Sequence, residues 1–225
     1  MTNVASYALP MRSLGVDVGL SKGLDLVLLD ERREVIAFEA RLAHASFRRV
    51  VLDWSPDIVA MDSPPRWAPP EGTRETERAV RRLGIQLYAT PAEERRSLKG
   101  FHDWMIAGME AFRAMEDLYP LFDGSSAGRH AMEVFPHATA VVLAGCLRPV
   151  EDVKHAWRRG VLAQRGVEDA RLSSPDLIDA ALASLTGLFF LEGEACWFGQ
   201  PAEGVIVLPC LEADLPVRFA RRGPD

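Results

Sequence analysis

The run Ser13-Leu-Gly-Val-Asp-Val-Gly19 sets the fold. Leu14, Val16 and Val18 alternate with Gly15, Asp17 and Gly19, the two-residue period of a strand with one apolar face. The other face carries a single carboxylate between two residues that have no side chain. Such a face cannot fill a core, but it lets an ion, a phosphate or another backbone come close to Asp17. The competing reading is turn chemistry, with Asp17-Val-Gly19 simply entering a hairpin to Leu24-Asp-Leu-Val-Leu-Leu29.

Working outward, Glu34–Arg41 reads as a third strand that completes an antiparallel meander. Ala45–Trp54 has helical spacing and is closed by Ser55-Pro56. Asp57-Ile-Val-Ala-Met-Asp62 is a short apolar run of the kind buried on both faces, hence a parallel strand. The four prolines of Ser63–Pro70 exclude regular structure, and helices are expected over 73–83 and 101–118, with a break at Gly124–Gly128. Ala131–Phe135 resumes the sheet. Helices follow at Ala138–Cys146, Val150–Gln164 and from Ser173 onward, and Gly204–Leu208 is a last strand. The expectation is one α/β domain over 1–225, a mixed sheet of five to six strands flanked by helices, with 64–130 a helical insertion over one end of the sheet.

Composition narrows the function classes. The 225 residues are 48% apolar and 26% charged, as in an ordinary globular protein. No apolar run is long enough to cross a bilayer, and the first residues lack the pattern of a signal peptide. Three widely spaced cysteines form neither a disulfide framework nor a zinc knuckle, so a cytoplasmic protein is expected. The net charge of −6 argues against a broad grip on duplex DNA. Locally, seven basic residues outnumber four acids between Arg74 and Lys99. That stretch reads equally as a charge-paired helix face or as a phosphate-contacting surface.

Several carboxylates stand in unusual places. Asp62 ends a buried strand, where α/β sheets bind ligands, although an acid before Ser-Pro also caps turns. Asp179 is the only charge between Leu177 and Leu191. A buried carboxylate needs a partner or a metal. Asp176 lies one turn earlier on the same face; with Ser174 as N-cap and Pro175 at the first helical position, an acid there also suits the helix dipole. Glu133 sits mid-strand, either toward solvent or recruited to the site. His137, just past that strand, reads as a surface histidine or as one that orients a water or phosphate. All candidate ligands are oxygens, which points to Mg²⁺ or Mn²⁺ rather than Zn²⁺. Such ions bridged by a central Asp suit in-line phosphodiester hydrolysis.

The order of these pieces resembles the ribonuclease H-like superfamily, and more narrowly a family of uncharacterised prokaryotic proteins described as predicted ribonuclease H-like nucleases. The resemblance rests on Gly15-Val-Asp17-Val-Gly19, Met61-Asp62-Ser63-Pro64, Arg74 with Glu77-Arg78, Glu133-Val134-Phe135-Pro136 and Asp176-Leu-Ile-Asp179-Ala180-Ala181. It spans residues 13–208. It implies a metal core of Asp17, Asp62 and Asp179, with Asp176 as a further ligand and Glu133 accessory. Arg74, Arg78 and Lys154 would face the phosphates of a nucleic-acid substrate. Two positions depart from the pattern: Thr76 stands where a Cys is common, and the helix Ala45–Trp54 offers only Asp53 where many superfamily nucleases project an acid.

Two other classes stand beside the nuclease. One is a non-catalytic binding module that keeps the fold, which the acidic balance favours. The other is an actin-like phosphotransferase, which the short chain and the lack of a second phosphate loop disfavour. The nuclease reading carries its own exclusion: an arginine bonded to Asp179, or a position out of water-bridged reach of Asp17 and Asp62, would remove it.

Overall fold

The alternation at residues 13–19 becomes strand β1 (Arg12–Gly19) in the computed structural model, which describes residues 11–19, 21–97, 100–125, 128–210, 215 and 218–220. Lys99, Ser126, Ala127 and most of the tail from Leu211 lie outside the described residues. β1 pairs antiparallel with β2 (Gly23–Asp30), so the hairpin reading also holds, and β2 pairs with β3 (Val35–Leu42). Helix α1 (Phe47–Trp54) ends where Ser55 turns left-handed and its N–H returns to Val51 O. The chain then crosses to β4 (Ile58–Asp62), parallel to β1 on the other side. Helices α2 (Glu75–Arg82) and α3 (Asp103–Met115) precede β5 (His130–Val134), which is parallel to β4. Helices α4 (Pro136–Ala144), α5 (Lys154–Gln164) and α6 (Pro175–Leu191) follow. Last come β6 (Ala195–Gln200) and β7 (Gly204–Pro209).

The sheet order is β3-β2-β1-β4-β5-β7-β6, a meander followed by parallel strands, as expected of a ribonuclease H-like sheet. It has seven strands rather than five or six. The extra one, β6, is a half-exposed edge strand antiparallel to β7, and its mixed sequence lacks the period that marks the buried strands.

The strand period sorts side chains between two layers. Leu14, Val16 and Val18 of β1, with Val59 and Met61 of β4, pack toward α1 and α3. Val27 and Leu29 of β2 pack toward α6. Ile58 and Ala60 of β4 share a cluster with Ala183 of α6. Asp17 and Asp62 therefore belong to the α6 layer.

Candidate metal centre

Helix α6 reaches β1 so closely because two glycines leave room. A Cβ at Gly15 would overlap the carbonyl oxygen of Ala180 and the backbone nitrogen of Ser184, and one at Gly187 would overlap Ser13 Oγ. Ser184 Oγ donates to the Ser13 carbonyl at 2.6 Å and seals the contact. The small residue beside Asp17 thus admits another backbone, the third of the visitors anticipated above. The start of α6 is fixed as expected, with Pro175 in the first turn and Ser174 Oγ accepting from Leu177 N at 3.0 Å.

Strand register supplies the rest. Asp17 is the parallel partner of Asp62 and the antiparallel partner of Asp25. With the first turns of α6 alongside, oxygens of Asp17, Asp62 and Asp179 lie within 4.8 Å of one another. A second trio, Asp17, Asp25 and Asp176, meets the same limit, so Asp17 belongs to both. Asp25 is 4% exposed and belongs to no motif that singles it out in the sequence. The signal was there: closing the hairpin at Gly19 and Gly23 places residue 25 opposite 17.

The trios repel themselves. Burial pushes the Asp17 carboxyl up to about 9, helped by the neighbouring charges of Asp62, Asp179, Asp176 and Asp25. Burial and then Asp179 push Asp62 up to about 8, with Arg158 and Lys154 pulling the other way. Asp25 is raised by burial and by Asp176. Burial also raises Asp179, against the pull of Arg158.

Arg158 overturns one expectation. Its Nη1 donates to Asp179 Oδ1 from a side chain only 4% exposed, so Asp179 is not without an arginine. The arginine exclusion is therefore met as worded, but it is too strict: a bond to one oxygen leaves Asp179 able to serve a cation, and Asp179 still lies within reach of Asp17 and Asp62. A carboxylate offers two oxygens and about four lone-pair sites, so this bond does not exhaust Asp179. Asp176 Oδ2 meets Lys22 Nζ at 3.3 Å on the surface.

Glu133 and Arg74 need correction. Glu133 is the register partner of Met61, not of Asp62, and so projects to the opposite layer. There Arg74 grips it with both terminal nitrogens at 2.7 and 2.6 Å, while Arg74 Nε donates to Glu77 Oε1 at 3.1 Å. Arg74 is 1% exposed, so it ties α2 to β5 and faces no substrate phosphate. Thr76 has the same kind of role, its Oγ1 accepting from Ile206 N at 3.0 Å. Arg78 bonds Glu75 and the Thr73 carbonyl on an exposed face, and Arg82 bonds Glu75 as well, the charge-paired alternative for this stretch. Asp53 pairs with Arg49 on the surface. Lys154 lies in another setting, lining a cavity with Arg158.

A family model described as "Protein of unknown function (DUF429)" matches residues 15–203, most of the chain. The chain belongs to DUF429. All five clustered aspartates lie inside the DUF429 match. No curated protein matches the sequence. Among solved structures, this DUF429 chain is similar to Thermus thermophilus RuvC, with 17% identity, 81% of this chain and 97% of that one covered, and a TM-score of 0.43. A structure of T. thermophilus RuvC in complex with a Holliday junction substrate gives 14% identity, coverage of 81% and 96%, and a TM-score of 0.39. Among the described residues no helix is long and apolar enough to cross a membrane.

Proposed function

We propose that the protein is a divalent-metal-dependent nuclease that hydrolyses phosphodiester bonds of nucleic acid. One observation carries the reading: Asp17 stands in two carboxylate trios at once, with Asp62 and Asp179 on one side and Asp25 and Asp176 on the other. The donor set is wholly carboxylate oxygen, which fits Mg²⁺ or Mn²⁺. When bound, such ions neutralise phosphate charge and acidify water for in-line attack. Asp17, fixed by its strand partners on both sides, sets the common point of the two trios. Asp62 and Asp25 come from the neighbouring strands, and Asp176 and Asp179 from one face of α6. Buried carboxyls that hold protons when crowded together release them to a cation, so binding becomes tighter as pH rises.

The experiment is a melting series with Mn²⁺. Wild type gains several degrees, whereas Asp17→Ala combined with Asp179→Ala gains nothing, because an ion selective for the folded state stabilises only a protein that can hold it. Cleavage of labelled single-stranded and branched oligonucleotides follows the same ion dependence. Equal melting shifts in both proteins would remove the metal centre and the nuclease with it. The bond from Arg158 to Asp179 favours a second reading, a non-catalytic nucleic-acid-binding module in which the arginine neutralises the cluster. That reading expects oligonucleotide binding in EDTA and no metal-dependent cleavage.

A further inference from the structure

Next to the carboxylates lies a space of the opposite charge. A cavity of about 390 Å³ is lined by Tyr88, Phe135, His137, Arg148, Lys154 and Arg158 among others. Three of these six are cations, and no carboxylate is among the described residues that line it. Its volume falls in the roughly 300–1,000 Å³ range of small-ligand sites.

Arg158 joins this space to the metal centre. The residue is 3% exposed, and its Nη1 is on Asp179 while its Nε is buried without a hydrogen-bond partner among the described residues. His137 Nδ1 is likewise buried and unpartnered. Buried donors left unmade are costly, and an anion in the cavity is an acceptor of the right charge. Burial first, then the charges of Arg158, Lys154 and Arg148, push the His137 imidazole down to about 4. A neutral ring offers one N–H and one lone pair, so it can accept from a base or donate to a phosphate. Arg148 is held in place by its bonds to the carbonyls of Pro149 and Asp152. Tyr88 is 75% exposed, its ring meeting Phe101 at 5.9 Å in an edge contact that leaves room to stack, and Phe135 supplies a second ring near His137.

We propose that this cavity is a nucleotide subsite, in which Arg148, Lys154 and Arg158 hold the phosphate of the nucleotide next to the scissile bond and Tyr88 and Phe135 receive its base. A base can enter such a pocket only from an unpaired strand, so the substrate is single-stranded, or carries an unpaired nucleotide at the cleavage point. This substrate assignment rests on the nuclease reading, but the binding chemistry does not need the metal.

The test uses the whole protein in EDTA, titrated calorimetrically with thymidine 5′-monophosphate. Saturable binding is expected, weakened at least tenfold by Arg148→Ala with Lys154→Ala and several-fold by Tyr88→Ala, and unchanged by Arg78→Ala. Lys154→Glu, a change at an exposed position, serves if the double variant melts early. Asp17→Asn, which disables the metal centre, keeps nucleotide binding, so a failed nuclease and a failed subsite give different results. Absence of saturable binding, or binding indifferent to Arg148 and Lys154, would overturn the proposal. Inorganic phosphate binding as tightly as the nucleotide would overturn the base-holding part.

Discussion

Asp62 ends β4 and Glu133 is the last residue but one of the adjacent parallel β5, one register step away, yet they have opposite fates. Glu133 enters a knot in which Arg74 also takes up Glu77, and Glu77 Oε1 in turn accepts from Thr90 N at 2.9 Å. Both of its oxygens face the Arg74 guanidinium inside the fold. Asp62 joins Asp17 and Asp179, where charges of one sign outnumber the single guanidinium of Arg158 that touches them. Carboxylates that fold to meet an arginine hold elements together. Carboxylates that fold to meet each other store repulsion, which a cation relieves. Both kinds of acid are buried here, and the company each keeps is what tells them apart.

The comparison breaks most visibly at Arg74. Replacing it with Met leaves Glu133 and Glu77 buried without a counter-charge, and urea denaturation is expected to show a loss of about 3–5 kcal/mol. The opposite sign is expected in the other cluster. Asp17→Asn is neutral without taking up a proton on folding, so the metal-free protein gains roughly 2–3 kcal/mol at pH 8 while its response to Mn²⁺ disappears. A loss of stability in metal-free Asp17→Asn would show that the trio is a matched network like the knot. The linkage has a definite direction: the Asp17 and Asp62 carboxyls are raised to about 9 and about 8, so the fold holds protons that the unfolded chain has given up. The stability of metal-free wild type therefore falls as pH rises from about 4 toward 9, and saturating Mg²⁺ flattens that slope.

The smallest expected effect belongs to His137, which lines the cavity with Arg148, Lys154 and Arg158. Its pKa is lowered to about 4 from an ordinary 6.5, so it stays neutral in the fold while the unfolded chain takes up a proton. Its stabilising contribution is complete above pH 6.5 and is lost as pH falls toward 4. Wild type minus His137→Gln, followed by thermal melts, is expected to narrow by about 1–2 kcal/mol between pH 7 and pH 5. A difference that does not vary with pH would place the imidazole in contact with solvent rather than among three cations.

Much of this was legible in the residues. The alternation of Leu14, Val16 and Val18, the apolar run ending at Asp62, and the Ser174-Pro175 start of α6 each gave an element that the structure contains. The site was legible where a carboxylate lay in an element that could not otherwise explain it, as at Asp17, Asp62 and Asp179. It was not legible at Glu133, whose strand was read correctly but whose layer depends on pairing with Met61 rather than Asp62. Nor was it legible at Arg74, which looks like a surface cation until β5 is placed beside it.

The sequence by itself determined which residues form strands and helices and which side chains share a face, because period, capping and proline act within a few residues. Only the tertiary structure decided which acid receives an arginine and which is left among its own kind. Arg74 and Glu133 are 59 positions apart, Arg158 and Asp179 are 21, and Asp17 and Asp176 meet only because α6 can press against Gly15. Electrostatic partnership depends on distance in space, which strand register and helix packing fix and local sequence does not.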